Sequence, residues 1–152
     1  MIILFIGTTG VHHALVAANL YLGKLADRNL KMIKGFGDLK KDKSGFPIFI
    51  DEEENGDKIY ILGVGKDVLM GKKSIEDLVQ ILGYSPRDLM VKPVCLKNDQ
   101  IILFLSKIPD LLGGKICNNY IIPYIVEKEL SSIQKEIEDF IQKEIEDFKN
   151  SL

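Results

Sequence analysis

The chemistry-bearing side chains that stand together in this chain are His12 and His13, its only two histidines. They follow Gly7-Thr8-Thr9-Gly10, a turn that closes a short apolar run, Ile2-Ile3-Leu4-Phe5-Ile6, and opens a helical pattern. A glycine-bounded turn between strand and helix leaves backbone N–H groups pointing outward, and the helix dipole adds partial positive charge there. Gly7, Thr8, Thr9, Gly10, His12 and His13 are therefore the candidate ligand-binding residues, and a small anion such as phosphate is the candidate ligand. The dipole favours the neutral form of a histidine at a helix N-terminus, which suits a hydrogen-bond donor or general base near neutral pH. His12 is the candidate catalytic residue. Adjacent helical positions diverge by about 100°, so the pair is a poor chelate for one metal. One imidazole is expected to face the loop and the other solvent or the core. No metal and no cofactor is expected.

The familiar phosphate signatures are missing from this turn. G-x-x-x-x-G-K-[ST] is not matched, because Gly10 follows Gly7 too closely and no Lys-Ser or Lys-Thr comes after it. The dinucleotide fingerprint G-x-G-x-x-G is not matched either, and neither cysteine begins a C-x5-R loop. Asp51, Glu52, Glu53 and Glu54 precede Asn55-Gly56-Asp57 and read as a solvated hairpin tip, since their spacing is not that of a calcium loop.

Several elements must position the turn. Ile2 to Ile6 reads as a buried strand, and Ala14 to Leu25 as a helix with Leu15, Ala18, Leu22 and Leu25 on one stripe. Asp27 to Lys43 is a weakly patterned, basic connection, tacked to the core by Met32, Phe36 and Leu39. Phe46 to Ile50 and Lys58 to Gly63 read as an antiparallel hairpin, because Asn55-Gly56 tolerates positive φ. Lys73 to Leu82 is expected as an amphipathic helix capped by Ser74, burying Ile75, Leu78, Val79 and Leu82 and stopped by Gly83. Val91 to Leu96 is a candidate strand that Pro93 places near an edge or a strand start. Residues 99–108 read either as a helix capped by Asn98 or Asp99 or as a strand, since a short apolar run fits both periods. Pro123 opens the last helix as its first-turn proline.

That last helix holds an exact tandem repeat, IQKEIEDF at 133–140 and again at 141–148. Eight residues advance the apolar stripe by about 80° past two turns, so the two copies cannot present the same face to one flat core. The expected organisation is an α/β domain over 1–132 and a helical extension over 133–152. Within the domain a mixed open sheet carries flanking helices. A ligand would lie beyond the carboxyl end of the first strand.

The chain has 152 residues, 46% hydrophobic and 28% charged, which suits one globular domain with a substantial core. A formal net charge of -2 offers no general pull on nucleic acid. The first apolar run is far too short to span a membrane and lacks the flanks of a signal peptide. Cys95 and Cys117 are too few and too isolated for a disulfide framework or a zinc cluster. The cytoplasm is the expected setting.

With this pattern laid out, the chain resembles the bacterial family catalogued as domain of unknown function 3189, found mainly in Firmicutes. Its proteins open with a strand, a Gly-Gly-Thr-His-Ser-Ser-like turn and an alanine-rich helix ending in Leu-Gly-Lys-Leu. Gly10, His12, Ala17-Ala18 and Leu22-Gly23-Lys24-Leu25 match. The hairpin is similar through Gly45, Asp51-Glu52, Gly56, Tyr60 and Leu62-Gly63, and weaker similarity continues through Asn98 and Leu105-Ser106-Lys107 to about residue 133. This chain departs at the turn itself: Thr9 stands where the family often has glycine, Val11 where it has threonine, and His13-Ala14 where it has two serines. Val11 and His13-Ala14 remove hydroxyl donors to a bound anion. The resemblance implies a class and a cytoplasmic setting, and no activity.

Two functions fit these residues. One is a small anionic ligand at Gly7 to His13; for an enzyme, phosphoryl or related hydrolytic chemistry with His12 as acid/base or anion donor follows. The other is a non-catalytic interaction module that associates with itself or a partner through the C-terminal helix.

Overall fold

A computed structural model describes residues 1–25 and 29–150 of the chain. The start of the connection expected from Asp27 and the last two residues of the expected extension lie outside them. Strand β1 (Ile2–Gly7) is the spine. From Ile3 to Ile6 its apolar residues are buried on both faces, as a strand with parallel neighbours on each side requires. Strands β2 (Ile48–Glu52), β3 (Lys58–Gly63) and β4 (Leu89–Pro93) complete an open sheet in the order β2-β3-β1-β4. β1 runs parallel to β3 and β4, with Gly7 paired to Gly63. β2 is antiparallel to β3, with a register shift between Phe49 and Asp51.

Alternation along β1 sorts its side chains between two helix layers. Ile3 and Phe5 join Ile59 and Ile61 under α1 (Leu15–Tyr21), α4 (Asp99–Ser106) and α6 (Ile122–Asn150). Leu4 and Ile6 join Val91 on the other face, under α3 (Val68–Ile81). Two short helices, α2 (Leu39–Asp42) and α5 (Gly114–Ile116), lie in the connections. The mixed α/β sheet, the hairpin and the edge position of β4 match the sequence reading. So does the helical alternative for residues 99–108, which the structure realises as α4.

Other expectations are corrected. The first helix begins with a wide π-type turn at Gly10–Ala14 and stops at Tyr21, four residues short of Leu25; Gly23, at φ +64°, turns the chain away. Leu30 and Ile33 fasten the following connection, while Met32 is exposed. β2 starts at Ile48, leaving Phe46 exposed, and β4 is displaced to Leu89–Pro93.

α3 starts at Val68, capped by Asp67, whose carboxylate accepts the Met70 N–H at 3.0 Å. Gly71 sits within its first turns because a Cβ there would stand 3.0 Å from the Val64 side chain. The face expected to be buried is only partly so: Leu78 is 55% and Leu82 62% exposed. Pro123 stands in the first turn of α6, as expected, but α6 continues an earlier helical stretch. It stands inside a helical run from Gly114, behind a second π-type turn at Cys117–Ile121, where the Ile122 N–H reaches back five residues to Cys117 O. A widened turn accommodates a ring that would otherwise clash with the carbonyl four residues back.

The boundary expected after residue 132 falls within α6. In the first octapeptide copy Ile133 and Ile137 are 0% and 2% exposed and belong to the main core. In the second copy their counterparts drift outward, Ile141 half-buried and Ile145 44% exposed, as the 80° advance requires.

Candidate functional site

β1 and β3 lie side by side and end together at Gly7 and Gly63, but their chains then part. After β1 the chain enters the layer of α1; after β3 it crosses to α3 on the opposite face. Such a switch point opens a crevice at the carboxyl ends of parallel strands. Here the crevice is filled by the protein itself. Val64 N–H donates to Gly7 O at 2.9 Å and Gly65 N–H to Thr8 O at 3.2 Å. Gly10 and Gly63 face each other so closely that a Cβ on either would stand 2.8 Å from the other's nitrogen. Both positions need glycine for space rather than for an unusual φ.

The N–H of Gly10 donates to Asp42 Oδ1 at 2.7 Å. A carboxylate supplied from 32 residues away thus occupies the place where the turn was expected to receive an anion. Burial pushes the Asp42 carboxyl above its usual range, and the Gly10 N–H opposes that shift.

The two imidazoles diverge, His12 toward the connection and His13 toward the core. His12 is fully buried, edge-on to Phe36 with ring centroids 5.5 Å apart. The Asn118 amide N–H donates to Gly37 O at 2.8 Å, which turns its oxygen to His12 Nε2 at 3.2 Å. Nε2 therefore carries the proton, and Nδ1 accepts from the Thr9 hydroxyl at 2.7 Å. Burial pushes the His12 imidazole down to about 4, with the neighbouring His13 adding to the shift and the Asn118 bond opposing it. The result is a neutral imidazole aligned on a hydroxyl and held by an amide, the geometry of a base beside a hydroxyl with a third group orienting the base.

His13 lies between two carboxylates. Its Nδ1 is 2.6 Å from Asp99 Oδ1, and its Nε2 is 2.9 Å from Glu129 Oε2. The second approach lacks hydrogen-bond alignment, so Nε2 and Oε2 are both left without a hydrogen-bond partner. The remaining acceptors are engaged: Asp99 Oδ2 by the Leu96 N–H, Glu129 Oε1 by the backbone and side chain of Asn98. Thr8 Oγ1 donates to Asp99 O at 3.3 Å. This cluster ties the first turn to the start of α4 and the middle of α6.

Every sequence-predicted site residue is thus in one place, and all of them are buried. Sequence reasoning missed Asp42 and Asn118, which contact the turn from distant segments, and the roles of Asp99 and Glu129. Only the capping potential of Asp99 was visible in the pattern. Among the described residues no group of three His, Cys, Asp or Glu is disposed to hold a metal ion. No described helix is long and apolar enough to cross a membrane. Two cavities lie on the described surface, and only the smaller reaches the first turn. One of about 650 Å³ opens beside Val11, and one of about 900 Å³ runs along β4 between α3 and α6.

A family model described as "Protein of unknown function (DUF3189)" matches residues 2–142. No curated protein and no solved structure matches the chain.

Proposed function

The chain belongs to the DUF3189 family, and from that premise we propose that it binds a small anion at its first strand-to-helix turn, Gly7 to His13, with Asp42 as an internal placeholder. The observation that carries this reading is the Asp42 carboxylate on the Gly10 N–H. The Gly10 N–H bonds a carboxylate oxygen and opposes the burial that raises the Asp42 pKa, and that carboxylate sits on a connecting segment between positive-φ glycines. Gly35, Gly37 and Gly45, at φ +86°, +72° and +71°, bracket it. Displacing residues 38–45 withdraws Asp42 from the Gly10 N–H while Gly37 O stays on Asn118. A phosphate oxygen then takes the Gly10 N–H, with the Thr9 hydroxyl beside it.

If turnover follows, it belongs to phosphoryl or related hydrolytic chemistry. Neutral His12 accepts a proton through Nδ1 and Asn118 holds the ring. A cytoplasmic setting is part of the same reading, supported by the free cysteines Cys95 and Cys117.

A thermal-shift series of wild type and His12→Gln with phosphate, sulfate, nucleotides and divalent metal salts tests it. A ligand that binds only the folded state adds about 2.7 kcal/mol at a hundredfold excess over its dissociation constant. Stabilisation by an anion in wild type and its loss in His12→Gln is the expected result. No shift with any anion refutes the reading.

A second reading, self-association through the end of α6, is favoured by the exposure of Ile145 where its counterpart Ile137 is buried. Light scattering of the full chain and of a chain lacking 141–152 decides it. A dimer mass that falls to a monomer on deletion is required.

A further inference from the structure

The smaller cavity, about 650 Å³, lies between the first helix, the 29–41 connection and the β2–β3 hairpin. Its apolar lining is Ile48 and Ile50, half-buried, and the exposed Phe49, laid over the core residues Val11, Leu15 and Ile61. Its rim carries Lys24, Lys34 and Lys41, and no acidic residue is among the described residues that line it. Lys24 pairs with Asp51 and Lys41 approaches Asp38 at 3.7 Å, but both carboxylates lie outside the lining. The larger cavity has no such bias, since Lys72, Lys92 and Lys143 share it with Glu76, Glu136 and Asp139.

An apolar lining beside lysine side chains selects a ligand that has both parts. The volume is in the range of sites for small molecules, roughly 300–1,000 Å³. We propose that this cavity binds a small organic anion, its apolar body against Ile48, Phe49 and Ile50 and its acidic head between Lys34 and Lys41. Asn29 offers a neutral donor on the same rim, because its side-chain oxygen already accepts the Lys31 N–H. The assignment does not rest on anion binding at the first turn, with which the cavity shares only Val11.

Calorimetric titration with 1-naphthyl phosphate, inorganic phosphate and 1-naphthol tests the pairing of head and body. The expected result is that 1-naphthyl phosphate binds wild type at least tenfold more tightly than either part alone. In Lys34→Gln/Lys41→Gln its affinity falls at least tenfold while the melting temperature stays unchanged, because both lysines are exposed. Absence of saturable heat overturns the assignment, as does equal binding by 1-naphthol or an unaltered affinity in the lysine variant. Naphthyl phosphate binding without inorganic phosphate binding supports the cavity and counts against the first turn, so the two readings fail separately.

Discussion

Acidification should destabilise this protein through His12, by an amount the burial of its ring allows to be worked out. In the unfolded chain an imidazole titrates near its ordinary pKa of about 6.5; in the folded protein burial holds it at about 4. The folded pKa is the lower one, so between those values the unfolded state binds more protons and stability rises with pH. The contribution is almost fully present at pH 7 and is lost as pH falls through 6.5 toward 4. At pH 5 the unfolded imidazole is about 97% protonated and the buried one about 10%, a thirtyfold bias toward unfolding, or about 2 kcal/mol. Carboxylates also titrate in this range, and Asp42, Glu136 and Glu144, all pushed up by burial, contribute with the opposite sign. The comparison must therefore be made against a variant that keeps them. Urea unfolding of wild type and His12→Gln at pH 7 and pH 5 gives the difference directly. The wild type should lose about 2 kcal/mol more than the variant. An equal loss in both proteins would mean that His12 is not buried neutral.

Two further perturbations test the packing that holds the turn. Gly63→Ala places a Cβ 2.8 Å from Gly10 N and 2.5 Å from Asp42 Oδ1; the midpoint of urea unfolding should fall by the equivalent of about 1–3 kcal/mol, the usual cost of overpacking. The tandem octapeptide offers a matched pair. Ile137→Ala should cost about 2–5 kcal/mol for a buried core deletion, while Ile145→Ala, at the equivalent position of the second copy, should stay within about 0.5 kcal/mol. Similar costs at both positions would refute the drift of the stripe along α6.

What the sequence reveals here follows from how local each cause is. β1 is legible because five apolar residues stand in a row, and the hairpin because Asn55-Gly56 sets its turn without help. The start of α3 is hidden because Gly71 looks like a loop boundary until Val64 is known to press against it. The location of the candidate site is legible as well, since Gly7, Gly10 and the two histidines are contiguous. Its state is not. That Gly10 already holds a carboxylate depends on Asp42, which comes from a segment without hydrophobic period. The directions of the imidazoles depend on Asn118 and Glu129, more than a hundred residues onward. Pro123 shows the same limit, because a proline that opens a helix and one behind a π-type turn read alike.

The most direct test of the account reads the Gly10 amide itself. Nitrogen-15 NMR titration with inorganic phosphate, on wild type and Asp42→Ala, follows that one resonance. Removing the internal carboxylate vacates the donor, so the account predicts that the Gly10 signal shifts saturably in Asp42→Ala, at a midpoint at least tenfold below that of wild type. A tenfold gain corresponds to about 1.4 kcal/mol, a reasonable worth for one charge-assisted hydrogen bond. A Gly10 signal that does not move in either protein would contradict it, and the first turn would then be a buried tie between layers rather than a binding site.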